Sequence, residues 1–313
     1  MLSAGVRYEN FKVNDYEKAQ PVYRAGATYR VLKATYLRAS YGQGFRFPTL
    51  GERYIKTSVG QLNIYPSPNL EPEFSVNVEG GVKQGFGIGG FRGYFDAVVF
   101  RQDIDRFVEF TFGKWEPVPS PIQGLGFRSL NTGGARVTGF ELELAGKGSI
   151  QQVEVTILAG YTHTTPVSTT PQEVYAVSAN IVDPVSLSYA STSSDTTGNI
   201  LKYRVRSLFR ADIGLKRKKL SGGMSVRYNS HVRNIDKAFV EFDNPFLLET
   251  GVTQWMKDHT TGDWIVDARL GYQITPQVKA ALIATNLSNE VYSIRPMAIE
   301  APRSFQVQLA VDL

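Results

Sequence analysis

From Phe74 the even positions of the chain read Phe74, Val76, Val78, Gly80 and Val82, while the odd positions read Ser75, Asn77, Glu79, Gly81 and Lys83. The split returns with Phe140, Leu142 and Leu144 against Glu141 and Glu143, with Phe209, Ala211, Ile213 and Leu215 against Arg210, Asp212 and Lys216, and with Trp264, Val266, Ala268 and Leu270 against Asp267 and Arg269. Side chains on a strand alternate between its two faces, so a period of two gives each segment one greasy and one polar face. Helical periodicity is nowhere sustained. Strands of soluble domains average about five or six residues, and several of these runs are about twice as long.

The alternation predicts about twelve strands, near 3–13, 22–31, 35–45, 73–86, 91–107, 127–146, 150–163, 200–215, 222–234, 263–274, 277–287 and 303–313. Short turns around Leu32-Lys33, Gly87–Gly90, Gly146–Ser149, Lys218–Ser221 and Thr275-Pro276 alternate with long stretches near 46–72, 108–126, 164–199, 235–262 and 288–302. In an up-and-down sheet every second connection lies at the same end. The short turns therefore collect at one end and the long loops at the other, as in an all-β, antiparallel up-and-down transmembrane β-barrel. A soluble β-sandwich binding module is the competing architecture, because its greasy face needs only a second sheet to cover it.

Composition removes other classes. The chain has no cysteine, which excludes disulfide frameworks, thiolate zinc sites and cysteine nucleophiles together. Its 34 Lys+Arg against 29 Asp+Glu are scattered apart from Lys216-Arg217-Lys218-Lys219, so no basic face for nucleic acid is expected. No run approaches the ~20 apolar residues of a membrane-spanning helix, and Met1–Tyr8 does not read as a signal peptide.

Four stretches resemble the C-terminal part of TonB-dependent outer-membrane receptors, especially those of Bacteroidetes. They are Arg38–Arg53 (RASYGQGFRFPTLGER), Asn69–Glu73 (NLEPE) with its following strand, Asn131–Glu141 (NTGGARVTGFE), and Asn286–Tyr292 (NLSNEVY) with Ala301-Pro302-Arg303 and the closing strand. The resemblance implies a 22-stranded barrel filled by an N-terminal plug, of which residues 1–313 would supply about twelve strands, with plug and signal peptide absent. Such barrels commonly end in an aromatic residue, where this chain has Leu313. The implied partners are outer-membrane lipid, a plug and TonB through the remaining part of the receptor, and a small-molecule ligand, most often a ferric siderophore or another iron chelate. The implied place is the cell outer membrane, and no cofactor or enzymatic activity is implied. Two other readings are a passive porin-like barrel of about twelve strands, closed by pairing 3–13 with 303–313, and an outer-membrane barrel enzyme.

Candidate site residues fall into three groups. The long loops carry Tyr54, Tyr65, Trp115, Tyr175, Tyr189, Phe246 and Trp255, which suit stacking on a siderophore, haem or sugar, and suit loop packing or an interfacial aromatic girdle equally well. Arg204, Arg206, Arg210, Arg227, Arg269 and Arg303 fall on the polar, lumen-facing side, where pairing with lumenal carboxylates is preferred to ligand binding. On the same map Val205 faces lipid. His163, His231 and His259 are weak metal candidates, because no ligand-type spacing links them. Gly85, Gly87 and Gly90 fit G-x-G-x-x-G, yet a strand follows rather than the helix a dinucleotide loop must open, so they read as a turn. No serine sits in a G-x-S-x-G elbow, and no spacing pairs a catalytic triad.

Overall fold

Twelve strands form one antiparallel sheet in sequence order: β1 Leu2–Val13, β2 Tyr16–Leu32, β3 Thr35–Arg46, β4 Glu73–Ile88, β5 Phe91–Asp105, β6 Ala135–Ile150, β7 Val153–Ser168, β8 Ser207–Arg217, β9 Leu220–Asn229, β10 Asp263–Gln273, β11 Val278–Thr285 and β12 Ser304–Val311. The computed structural model describes residues 1–59, 62–119, 123–179, 184–246, 249–295 and 298–312. Leu313 lies outside them. Among the described residues β1 pairs only with β2 and β12 only with β11, so the sheet has two open edges and does not close as a twelve-stranded porin would.

The register carries the period-two pattern across the whole sheet. Directly opposed residues in an antiparallel pair point to the same face. Val82, Ala97 and Leu142 stand opposite one another across β4–β6, and Ile213, Met224 and Ala268 across β8–β10. On this face large apolar side chains are left uncovered, Val99 at 64% exposure being one. An apolar face that none of the described residues covers is expected where the solvent is lipid. Higher on the same face Tyr161, Phe209, Tyr228 and Trp264 stand opposite one another on β7 to β10, with the Tyr228 and Trp264 rings 4.8 Å apart. Tyr272 lies eight residues below Trp264 on β10, ~26 Å along the strand, so the two mark an apolar band of membrane height.

The other face is polar and bridges alternate strands. Arg38 on β3 reaches Asp96 on β5 at 2.7 Å, and Arg269 on β10 reaches Asp212 on β8 at 2.6 Å. Arg269 does so by lying across Gly223 on β9, where any Cβ would stand 2.5 Å from its guanidinium carbon.

Several boundaries differ from the sequence expectation, each for a local reason. The strand expected over 127–146 divides: Leu125–Asn131 leaves the wall, Gly133 adopts φ +97°, and the wall resumes at Ala135. The strand expected from 200 begins at Ser207, because Tyr203 is left-handed (φ +57°) and Lys202 is drawn into the loops. Arg204, Val205 and Arg206 consequently precede the wall, and Val205 does not lie on a lipid-facing strand. The turn expected at Gly146–Ser149 sits instead at Gln151-Gln152, with Gln151 at φ +56°. Gly146 and Gly148 stay within β6 as places of close approach, because a Cβ on either would collide with Phe91. Residues 14–21 hold a two-residue turn, Asn14-Asp15, at the long-loop end, and Pro21 falls above the β2–β3 ladder, where its missing N–H removes no wall hydrogen bond.

Candidate functional site at the loop end

The long loops fold into a cap of their own. Val108–Lys114 and Leu125–Asn131 pair as a hairpin, and Leu62–Tyr65 and Thr57–Val59 extend it to four strands. Alternation on Val108–Lys114 sends Phe110 and Phe112 to one face and Glu109 and Thr111 to the other. The Phe112 ring stacks on Phe239 of the short helix Lys237–Glu241, with centroids 4.4 Å apart, and meets Phe127 edge-on at 5.2 Å. Leu125, Ile235 and Val252 complete a core that joins loop 106–134 to loop 230–262.

A buried polar network locks the third loop to these two. Lys202 donates from Nζ to Oδ1 of Asp236 at 2.7 Å, and each side chain is only 1% exposed. Asp236 also accepts from the Tyr203 hydroxyl at 2.6 Å and from the Phe112 backbone N–H at 3.2 Å. A buried ammonium and carboxylate persist in a dry environment only when paired and hydrogen-bonded in this way. Glu109 lies beside the pair, and burial pushes its carboxyl up to about 7, with Lys202 and then Arg204 opposing the shift. In loop 230–262 burial works against ionisation of Asp243, but hydrogen bonds from Thr253, Thr250 and Gly251 hold its carboxyl below the usual range and fix the start of the helix Val252–Asp258.

The seven loop aromatics divide by environment. Phe246 is 94% exposed and Tyr54 is also exposed. Tyr65 and Tyr189 are buried, and the Tyr189 hydroxyl accepts from the Lys202 backbone N–H. Trp115, Tyr175 and Trp255 are half-buried. Trp115 Nε1 donates to the Gly126 carbonyl at 3.0 Å, the Tyr175 hydroxyl meets Thr192 Oγ1 at 2.9 Å, and Trp255 stacks on His259 at 3.5 Å. Of the seven, Phe246 is thus almost wholly exposed and Tyr54 partly so, at 41%, and the other five build the cap.

The arginines divide similarly. Arg269 and Arg227 pair with Asp212 and Asp267 on the polar wall, the latter at 3.3 Å. Arg210 shares that face and has no partner among the described residues. Arg204 approaches Glu109 at 4.0 Å, Arg206 donates to the Thr164 carbonyl, and Arg303 donates to the Leu287 carbonyl at the loop end of β12. The histidines do not converge. His163 lies 2.9 Å from Ser207 Oγ and 5.8 Å from the Phe140 ring on the lipid face, whereas His231 and His259 border a small loop cavity. Burial and then Arg233 push the His231 imidazole down. Among the described residues no three His, Asp or Glu side chains form a metal-sized group.

Sequence reasoning missed Phe112, Lys202, Asp236 and Phe239, and it missed the membrane girdle of Tyr161, Phe209, Tyr228 and Trp264. The alternation Val108, Phe110, Phe112 inside the stretch read as loop was the one available signal for the cap.

A lipid-facing β-wall crowned by a folded loop cap defines a receptor-type outer-membrane barrel. The chain belongs to the TonB-dependent receptor-like β-barrel family, whose model matches residues 1–287. Its fold is similar to that of the siderophore receptor PiuA from Acinetobacter baumannii (16% identity, TM-score 0.63, 99% of this chain and 40% of that one). It is also similar to the ferric-catecholate import receptor Fiu from E. coli K12 (18%, 0.61, 94% and 35%) and the ferripyoverdine receptor of Pseudomonas aeruginosa (16%, 0.59, 100% and 36%). The chain spans well under half the length of each. No curated protein matches it.

Proposed function

We propose that this chain is the C-terminal share of an outer-membrane receptor that takes up an iron chelate, a ferric siderophore above all, by a TonB-driven cycle. The family match over residues 1–287 carries the reading. The solved structures named for siderophore or ferric-catecholate import support the class of ligand. On this reading the two open edges are completed by further strands of the same receptor, a plug fills the polar side, and the cap holds the ligand. Phe246 and Tyr54 are the contact residues, because their rings are the exposed ones and aromatic faces stack on planar chelates. The test is uptake of ⁵⁵Fe-labelled siderophores by cells expressing the intact receptor, with and without TonB. Uptake that needs TonB and falls on Phe246→Ala or Tyr54→Ala is expected. TonB-independent passage of small solutes of any charge would refute it.

A further inference from the structure

The polar face gathers unpaired cations toward the short turns. Higher on the wall Arg38 pairs with Asp96, Arg227 with Asp267 and Arg269 with Asp212, while Arg24 and Arg210 have no partner among the described residues. Close to the turns, Arg92 on β5 stands directly opposite Lys147 on β6, Lys216 on β8 stands opposite Glu154 on β7, and Lys279 lies near the start of β11. Register places all of them on the polar face, since Arg92 and Lys147 continue the row of Asp96 and Glu143, and Lys216 that of Asp212. Among the described residues Arg92, Lys147, Lys216 and Lys279 have no ion-pair or hydrogen-bond partner, and all four are exposed. A groove of about 350 Å³ runs past Lys147, Lys216 and Lys279, with Glu154 as its one unpaired carboxylate.

Like charges directly opposed on neighbouring strands repel. With Arg92 set against Lys147 and with Lys216 and Lys279 unpaired close by, this end of the wall holds a positive potential that a negative partner would relieve. The span selects the partner. From β5 to β11 the sheet crosses six strand intervals, ~29 Å at ~4.8 Å each. One small chelate or inorganic anion could touch only a fraction of that arc, and lipid headgroups do not enter a lumen. We infer that the short-turn mouth of this wall is a docking surface for an extended acidic polypeptide segment entering the barrel from that end. The inference rests on the polar face being the lumen, as the proposed function has it.

The experiment uses the intact receptor that contains this wall, in detergent micelles, and a fluorescein-labelled deca-glutamate peptide, followed by anisotropy at low and high salt. Wild-type binding should weaken as salt rises, since the Debye length shrinks to ~3 Å at 1 M. The triple variant Lys147→Gln, Lys216→Gln, Lys279→Gln should lose about tenfold or more in affinity. The charge-matched loop-end triple Lys12→Gln, Lys237→Gln, Lys257→Gln should bind as wild type. The triple Lys147→Arg, Lys216→Arg, Lys279→Arg should also bind as wild type, which separates lost charge from lost fold. Equal losses in the two glutamine triples, or no loss in the first, would overturn the inference. So would citrate displacing the peptide at the concentration at which unlabelled deca-glutamate does, which would assign the mouth to small anions. A lipid-soluble quencher reaching a fluorophore at residue 147 would instead unseat the lumen reading itself.

Discussion

Replacing Asp236 by alanine withdraws the acceptor on which three loops converge. Its carboxylate takes hydrogen bonds from Lys202 Nζ at 2.7 Å, the Tyr203 hydroxyl at 2.6 Å and the Phe112 N–H at 3.2 Å. After Asp236→Ala the buried ammonium keeps Thr192 Oγ1, at 3.0 Å, and the face of Tyr189, 5.1 Å from its ring centre. Removing one partner of a buried ion pair costs ~3–5 kcal/mol, mostly because the other charge stays desolvated. At ~1.4 kcal/mol per decade this is on the order of 10²- to 10⁴-fold more frequent opening of the cap. Amide hydrogen exchange in detergent reads it directly: protection should collapse in Val108–Lys114 and Lys237–Glu241 while β7 to β10 hold theirs. The double variant Lys202→Met, Asp236→Leu should recover much of the loss, since an apolar pair of similar volume carries no stranded charge. Unchanged exchange in the cap, or equal acceleration in the wall, would refute the view of the cap as a separately locked unit.

Three further outcomes follow from the same structure. Ile213→Arg, on the lipid face of β8, should cost ~2–4 kcal/mol in a detergent or liposome folding assay, whereas Arg210→Gln, three residues earlier on the polar face of the same strand, should cost little; equal costs would contradict the register. Burial raises the Glu109 carboxyl to about 7, so the stability that its protonated form lends the cap is fully present below its unfolded value of 4.5 and is lost as pH rises through about 7. Cap exchange, corrected for intrinsic base catalysis, should therefore quicken between pH 5 and 8, by no more than ~3 kcal/mol of opening free energy, and Glu109→Gln should flatten the profile. Gly93→Ala should lower the urea midpoint by the equivalent of ~1–3 kcal/mol, because the new Cβ would run into the Ala145 carbonyl of the neighbouring strand.

The wall was legible because its signal is local. Phe74, Val76, Val78 on one face and Ser75, Asn77, Glu79 on the other announce a strand within six residues, and lipid on one side keeps the alternation clean over a long run. The cap was not legible, because its core joins residues far apart in the chain. Phe112 meets Phe239 and Lys202 meets Asp236, and no pattern in either loop alone points to the other. Tyr203 shows the second obstacle: a left-handed tyrosine is held by its hydroxyl bond to Asp236, a tertiary cause that composition does not carry. Glycine misled at Gly146 and Gly148, where an aromatic ring from the adjacent strand needs the space that a turn would also need. The aromatic residues of the loops were visible as aromatics, but burial alone separates the rings that pack the cap from Tyr54 and Phe246.

Wall and cap obey different solvents, and this bears on the open edges. The cap closes its own core, pairs the buried Lys202 with Asp236 and stands in water. The wall is in hydrocarbon, where each unpaired backbone N–H or C=O costs several kcal/mol and only closed barrels persist. Within the membrane the lipid-facing rows of its two edges carry none of the devices that protect a free edge in water, the first lysine on β1 being Lys12 at its loop end. On β12 the lipid-facing row is Phe305, Val307, Leu309 and Val311, all exposed, and on β1 it begins with Leu2, Ala4, Val6 and Tyr8. Lysine, proline or a bulge would be expected there if these edges were meant to stay unpaired. They read instead as strands made for pairing, which is the role that the proposed function gives them.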